Sequence, residues 1–188
     1  PKNLTLAHKE FVGWFTKANC EGVKVADTAG LIPLVSVLNE KNFNLSGEAV
    51  TLYAGFETEK FTVTCCFEPG MDSEEIEVEY DTPVSKIVPK TRVDGKAPLT
   101  WSKTQGGEVW SGKVTDTMVL YAVEYAPVIE LDSNGGSNVL AIVARAGSTV
   151  ALPTPTKELA KFAYWEDMSG KKYTSTTMPS KSISLKAV

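Results

Sequence analysis

Several short stretches alternate strictly between apolar and polar residues. Phe61, Val63 and Cys65 interleave with Thr62, Thr64 and Cys66, the two-residue period of a strand with one buried face. Glu68-Pro69-Gly70 follows as turn chemistry, since glycine accepts positive φ. Ile76, Val78 and Tyr80 then alternate with Glu75, Glu77 and Glu79, which predicts the returning strand of a hairpin. Beyond a proline-marked connection come a strand carrying Trp101, a glycine turn and a closing strand containing Val119-Leu120-Tyr121-Ala122. One stretch has a different period: Leu31, Leu34, Val35 and Leu38 share a helical face.

The same order of signals recurs. Setting Phe61 on Pro127 aligns Gly70 with Gly136, Ile76 with Ile142, Val84 with Val150 and Pro89 with Pro155, without a gap. Asp132-Ser133-Asn134-Gly135-Gly136 then takes the place of the first hairpin turn. With small gaps Trp101 meets Trp165, Trp110 meets Tyr173, and residues 119–122 meet 184–187. The tail of the unit also occurs earlier, as Phe11-Val12-Gly13-Trp14-Phe15, Gly22-Val23-Lys24-Val25 and Val50-Thr51-Leu52-Tyr53-Ala54. Self-similarity at a fixed period is the mark of a repeat protein. The expected units are 1–57, 58–125 and 126–188.

These residues, FVGWF, VTLYAGF and the DSNGG hairpin with its following Thr-Val and Pro-Thr, resemble the Listeria–Bacteroides repeat, the InlB B-repeat-like module of bacterial surface proteins. The resemblance implies a β-rich α+β chain of tandem small β-grasp-like modules, strung in secreted or surface-attached proteins. Each unit is close to the size at which a lone core becomes marginal, so neighbours would help.

The first unit departs from the pattern in two ways. Pro1 falls near the position of Pro89 and Pro155, so the hairpin expected before it does not occur in this chain. Pro1-Lys2-Asn3 is not an initiator sequence, and the chain reads as a processed product or a fragment. Second, 28 positions separate Gly22 from Val50, against 11 from Gly107 to Met118 and 13 from Gly170 to Ile183. The insertion, 26–46, contains Leu31, Ile32, Leu34, Val35, Val37 and Leu38 and is too apolar for a solvated loop. It reads first as cover for its own module, second as an interface with another chain, and last as part of a cofactor pocket.

Composition narrows the chemistry. A net charge of −4 with two arginines, Arg92 and Arg145, argues against a nucleic-acid partner. No apolar run approaches the ~18 residues of a spanning helix; the longest, Leu31 to Leu38, is broken by Pro33 and Ser36, so no membrane insertion is expected. A lone histidine, His8, cannot make a catalytic triad or an ordinary zinc site. Catalytic residues, metal ligands and cofactors are therefore not expected. Cys65 takes the apolar side of its strand and reads as core, whereas Cys66 points the other way; a Cys20–Cys66 disulfide stays open, because its geometry is not written in sequence. The Glu75, Glu77 and Glu79 row reads as a solvated face that discourages edge aggregation.

Trp14, Trp101 and Trp165 recur by position and read as core residues. Trp110 and Tyr173 are the candidates for stacking on a sugar. The expected function is non-enzymatic: an extracellular or cell-surface spacer, adhesion or assembly element, with a protein partner, either a second copy or another surface protein. The alternatives are a polymerising subunit of a filament or surface array that exchanges strands between chains, and a carbohydrate-binding module.

Overall fold

A computed structural model describes residues 4–26 and 51–188. The chain divides into two compact units, Pro1–Lys60 and Phe61–Val188. The fold is β-rich. Its helical content among the described residues is a single 3-10 turn, Val84–Lys86.

In the first unit, β1 (Lys9–Phe15), β2 (Lys24–Ala26) and β3 (Tyr53–Thr58) form an antiparallel sheet in the order β2-β1-β3. Trp14 stands opposite Ala26 on one side and Ala54 on the other. Phe15 and Val25 are buried, whereas Trp14 is half-buried and meets Phe11 edge-on at 5.8 Å. Gly13, at φ 140°, allows the strands to approach, because a Cβ there would lie 2.3 Å from the Ala26 carbonyl oxygen. The insertion at 26–46, with Leu31, Ile32, Leu34, Val35 and Leu38, lies outside the described residues apart from Ala26 itself.

The second unit contains two larger sheets with the same connectivity. In one, β4 (Lys60–Cys66), β5 (Glu74–Glu79), β6 (Ala97–Ser102) and β7 (Met118–Ala126) lie in the order β5-β4-β7-β6. The first strand runs parallel to the last, β4 beside β7, and β6 is antiparallel to β7. In the other, β8 (Val128–Asp132), β9 (Ile142–Val143), β11 (Trp165–Glu166), β12 (Lys172–Tyr173) and β14 (Ile183–Ala187) lie in the order β12-β11-β14-β8-β9. Again the first strand, β8, is parallel to the last, β14, and β11 is antiparallel to β14. Between them in sequence, β10 (Thr149–Val150) pairs with β13 (Thr176–Thr177).

Alternation accounts for both cores. Val63, Cys65, Val78, Trp101 and Leu120 point inward in the first of these sheets, joined by Val84 and Ile87 from the 3-10 segment. Ile129, Val150, Trp165, Met178 and Leu185 fill the second. Pro127 alone separates β7 from β8, and Ala126, Val128 and Ile129 are all buried. Three polar contacts tie the two sheets together. The Arg92 guanidinium donates to Glu130 Oε1, at 3.1 Å from Nε. Arg145 Nη2 lies 2.6 Å from Glu124 Oε2. Ser182 Oγ accepts from Val128 N at 2.9 Å and donates to the Gly95 carbonyl at 2.5 Å.

Candidate functional site

The aromatic positions singled out above sit at matching points of the two larger sheets. Trp101 bridges Trp110, whose N–H donates to the Trp101 carbonyl at 2.7 Å; Trp165 stands opposite Tyr173. Trp101 and Trp165 are each 1% exposed and belong to cores, while Trp110 and Tyr173 are half-buried at their edges. Each edge aromatic has a lysine over its ring, Lys103 at 4.0 Å from the Trp110 centroid and Lys171 at 4.9 Å from that of Tyr173. Gly112 packs directly on the Trp110 indole. The exposed aromatic surface left for a ligand is therefore narrow at Trp110.

Turn chemistry holds Tyr173 in place. Asp167 Oδ1 accepts hydrogen bonds from Ser169 N at 2.9 Å, Ser169 Oγ at 2.6 Å and Lys171 N at 3.1 Å, and Oδ2 accepts from the Tyr173 hydroxyl at 2.9 Å. The Ser169 hydroxyl has the largest effect on the Asp167 carboxyl; desolvation opposes it, but with the Lys171 N–H, the Tyr173 hydroxyl and the Ser169 N–H the donors prevail and bring the carboxyl down to about 2. Asp167 closes a loop; it is not poised for proton transfer near neutrality.

Glu74 plays a comparable part in the other sheet. Burial, the largest single influence, pushes its carboxyl up, but donors from Lys90 N, Thr91 Oγ1 and Thr91 N, with the Arg92 charge, outweigh it and hold Glu74 below the ordinary value. The carboxylate staples the returning strand to the 90–91 connection. No pattern in the sequence marks this, because the partners are backbone amides brought up by the fold.

All three cysteines are free thiols. Burial pushes the Cys65 thiol up to about 12, with Glu74 and Cys66 adding to the shift, which keeps it protonated and unreactive. Cys20 occupies a left-handed turn position at φ 59° and directs its thiol to the Phe56 carbonyl, 3.8 Å away. Cys66 lies on the outward side of β4, opposite Tyr121 of β7. His8 approaches Glu59 at 3.4 Å. Among the described residues no three His, Cys, Asp or Glu side chains gather as a metal site, and no helix is long and apolar enough to cross a membrane.

Sheet order, the hairpin turn at Asn134 and the Trp165–Tyr173 pairing all fall within the part of the chain that a known family describes. Residues 129–188 match the Listeria-Bacteroides repeat domain. Two proteins of Evansella cellulosilytica are similar over a longer stretch. One, provisionally named a Gly-rich membrane protein, is 32% identical over 132 residues, covering 65% of this chain and 15% of its own length. The other, provisionally named a membrane protein, is 34% identical over 127 residues, covering 63% of this chain and 19% of its own length. The chain thus spans less than a fifth of either relative. No solved structure matches it. In the repeat-domain portion, Trp165 Nε1 donates to the Pro153 carbonyl at 2.8 Å, fixing the indole that the repeat buries.

Proposed function

We propose that this chain is a run of three β-grasp-like modules, 1–57, 58–125 and 126–188, in a bacterial cell-surface or secreted protein, where it serves as a non-enzymatic spacer, adhesion or assembly element. One observation carries the reading. Trp14, Trp101 and Trp165 each stand opposite an alanine of an antiparallel strand, Ala54, Ala122 and Ala187 respectively. The same cross-strand pair at three equivalent places is the signature of one unit used repeatedly. Support for the β-grasp description comes from β4 with β7 and β8 with β14, where first and last strands run parallel at the centre of a sheet flanked by a hairpin. The relatives named as membrane proteins favour display at the cell boundary.

An antibody raised against 126–188 tests the setting. It should label intact cells that make the parent protein as strongly as it labels lysed ones. Labelling only after lysis would overturn the surface assignment.

A second reading, exchange of strands between chains, is favoured by β3. Among the described residues its strand partner is β1 alone, whereas β7 and β14 each lie between two strands. Strand addition at such an edge would give a polymer. Light scattering across a wide concentration range decides it: strict monomers at every concentration rule out exchange between copies of this chain.

A further inference from the structure

The outward face of the β5-β4-β7-β6 sheet differs in kind from the matching face of the other large sheet. Parallel registers make the comparison residue by residue. Where Glu130 pairs with Ser184 and Asp132 with Lys186, the corresponding pairs are Thr64 with Val119 and Cys66 with Tyr121. Every charge at these four positions has gone. Val119 is 43% exposed, Val123 two outward positions further along β7 is 40% exposed, and Thr64, Cys66 and Tyr121 are half-buried, so the strip opens to solvent at its valines and lies apart from the core. The inward positions of the same strands, Val63, Cys65 and Leu120, account for the core already. Beside this strip, on β5, Glu75, Glu77 and Glu79 are all exposed and share the outward side, because Ile76 and Val78 point in.

We infer that this face is a docking surface for an amphipathic helix of another protein, one with an apolar stripe flanked on one side by Lys or Arg. The apolar strip asks for burial. The glutamate row sets the sign of the partner's flank and its orientation across the strands. From Val119 to Val123 the strip is about 13 Å long at a strand rise of roughly 3.3 Å per residue, which a helix covers in about nine residues. A second copy of this chain is disfavoured as occupant, since it would bring its own β5 glutamates to the interface and no row of Lys or Arg to meet them. The surface stands on sheet geometry alone and holds wherever the parent protein is located.

The probe is a Leu–Lys amphipathic helix of about 14 residues, long enough to be helical when bound, with its Leu–Glu counterpart as control. Both are titrated into the full chain with amide shifts followed by NMR. The Leu–Lys peptide should produce saturable shifts at Thr64, Cys66, Val119 and Tyr121, and the Leu–Glu peptide should bind at least tenfold more weakly. Cys66→Asp with Tyr121→Lys copies the charged pair that the other sheet holds at the same place, leaves net charge unchanged, and should weaken the Leu–Lys peptide tenfold or more. Val119→Ser, which copies Ser184, is the second variant if the first does not fold, and should weaken binding likewise. Unchanged affinity in the folded variants, equal binding of both peptides, or shifts centred elsewhere would each overturn the inference. So would a dimer of this chain that forms through the face and dissolves in the variant.

Discussion

Trp101 and Ala122 lie opposite each other across the antiparallel β6–β7 pair, and Trp165 and Ala187 repeat the relationship across β11 and β14. The alanine leaves room for the indole to lie inward over the sheet. The two indoles differ in one respect: Trp165 Nε1 donates to the Pro153 carbonyl at 2.8 Å, whereas Trp101 Nε1 is buried with no acceptor among the described residues.

That difference has a measurable consequence. Replacing either tryptophan by phenylalanine removes similar packing, but only Trp165→Phe also breaks a hydrogen bond. Trp165→Phe should therefore cost about 1 kcal/mol more than Trp101→Phe. Hydrogen exchange of the amides in β11–β14 and in β6–β7 reads each sheet separately; equal losses would show the indole N–H to be irrelevant.

Gly112 packs on Trp110. A Cβ at Gly112 would fall 2.2 Å from Cζ2 and 2.4 Å from Cε2 of the indole. Gly112→Ala should displace the ring and cost roughly 1–3 kcal/mol, the usual penalty of overpacking. Near-UV circular dichroism and the melting temperature report it, and a variant unchanged in both would mean that the ring moves freely.

Acid should loosen the 167–171 turn. The Asp167 carboxyl sits near 2 when folded, below its ordinary value of 3.8. A depressed folded value contributes stability that is present above the unfolded value and is lost as pH falls toward the folded one. The Ser169, Lys171 and Tyr173 resonances should therefore hold steady above about pH 4 and shift as pH drops toward 2. In Asp167→Asn that titration should vanish. A carboxyl titrating near 4 in the parent chain would contradict the turn geometry.

Arg92 and Glu130 couple the two large sheets. Their side chains are 23% and 44% exposed, so the pair is partly screened by solvent. A double-mutant cycle of Arg92→Ala and Glu130→Ala should give a coupling of roughly 1 kcal/mol, reduced by salt. Loss of the pair should also separate the unfolding of β4–β7 from that of β8–β14. Additive single effects would show that the sheets are joined without this pair, through the Pro127 connection, the Arg145–Glu124 contact and Ser182.

Much of the architecture is readable from alternation, because a strand's period is two wherever one face is buried. Phe61 to Cys66, the Ile76 and Val78 strand, the Asn134-Gly135 turn and the match of Trp110 with Tyr173 all belong to that class. Two-residue strands such as β9, β10 and β13 do not: they have too few positions to show a period, and pairing alone defines them. Trp14 illustrates the opposite limit, since its motif matches Trp101 and Trp165 while burial in its sheet falls on Phe15.

By itself, then, the sequence determined the repeated strand pattern, the turn positions and the inward-facing Trp101 and Trp165, because these depend on local period and on the conformational needs of Gly and Asn. Only tertiary structure decided that β4 runs parallel to β7, that Glu74 is gripped by the amides of residues 90 and 91, and that Cys66 meets Tyr121 on the outward face of the sheet. Those relationships join residues far apart in the chain, and no local preference encodes which distant strand completes a sheet.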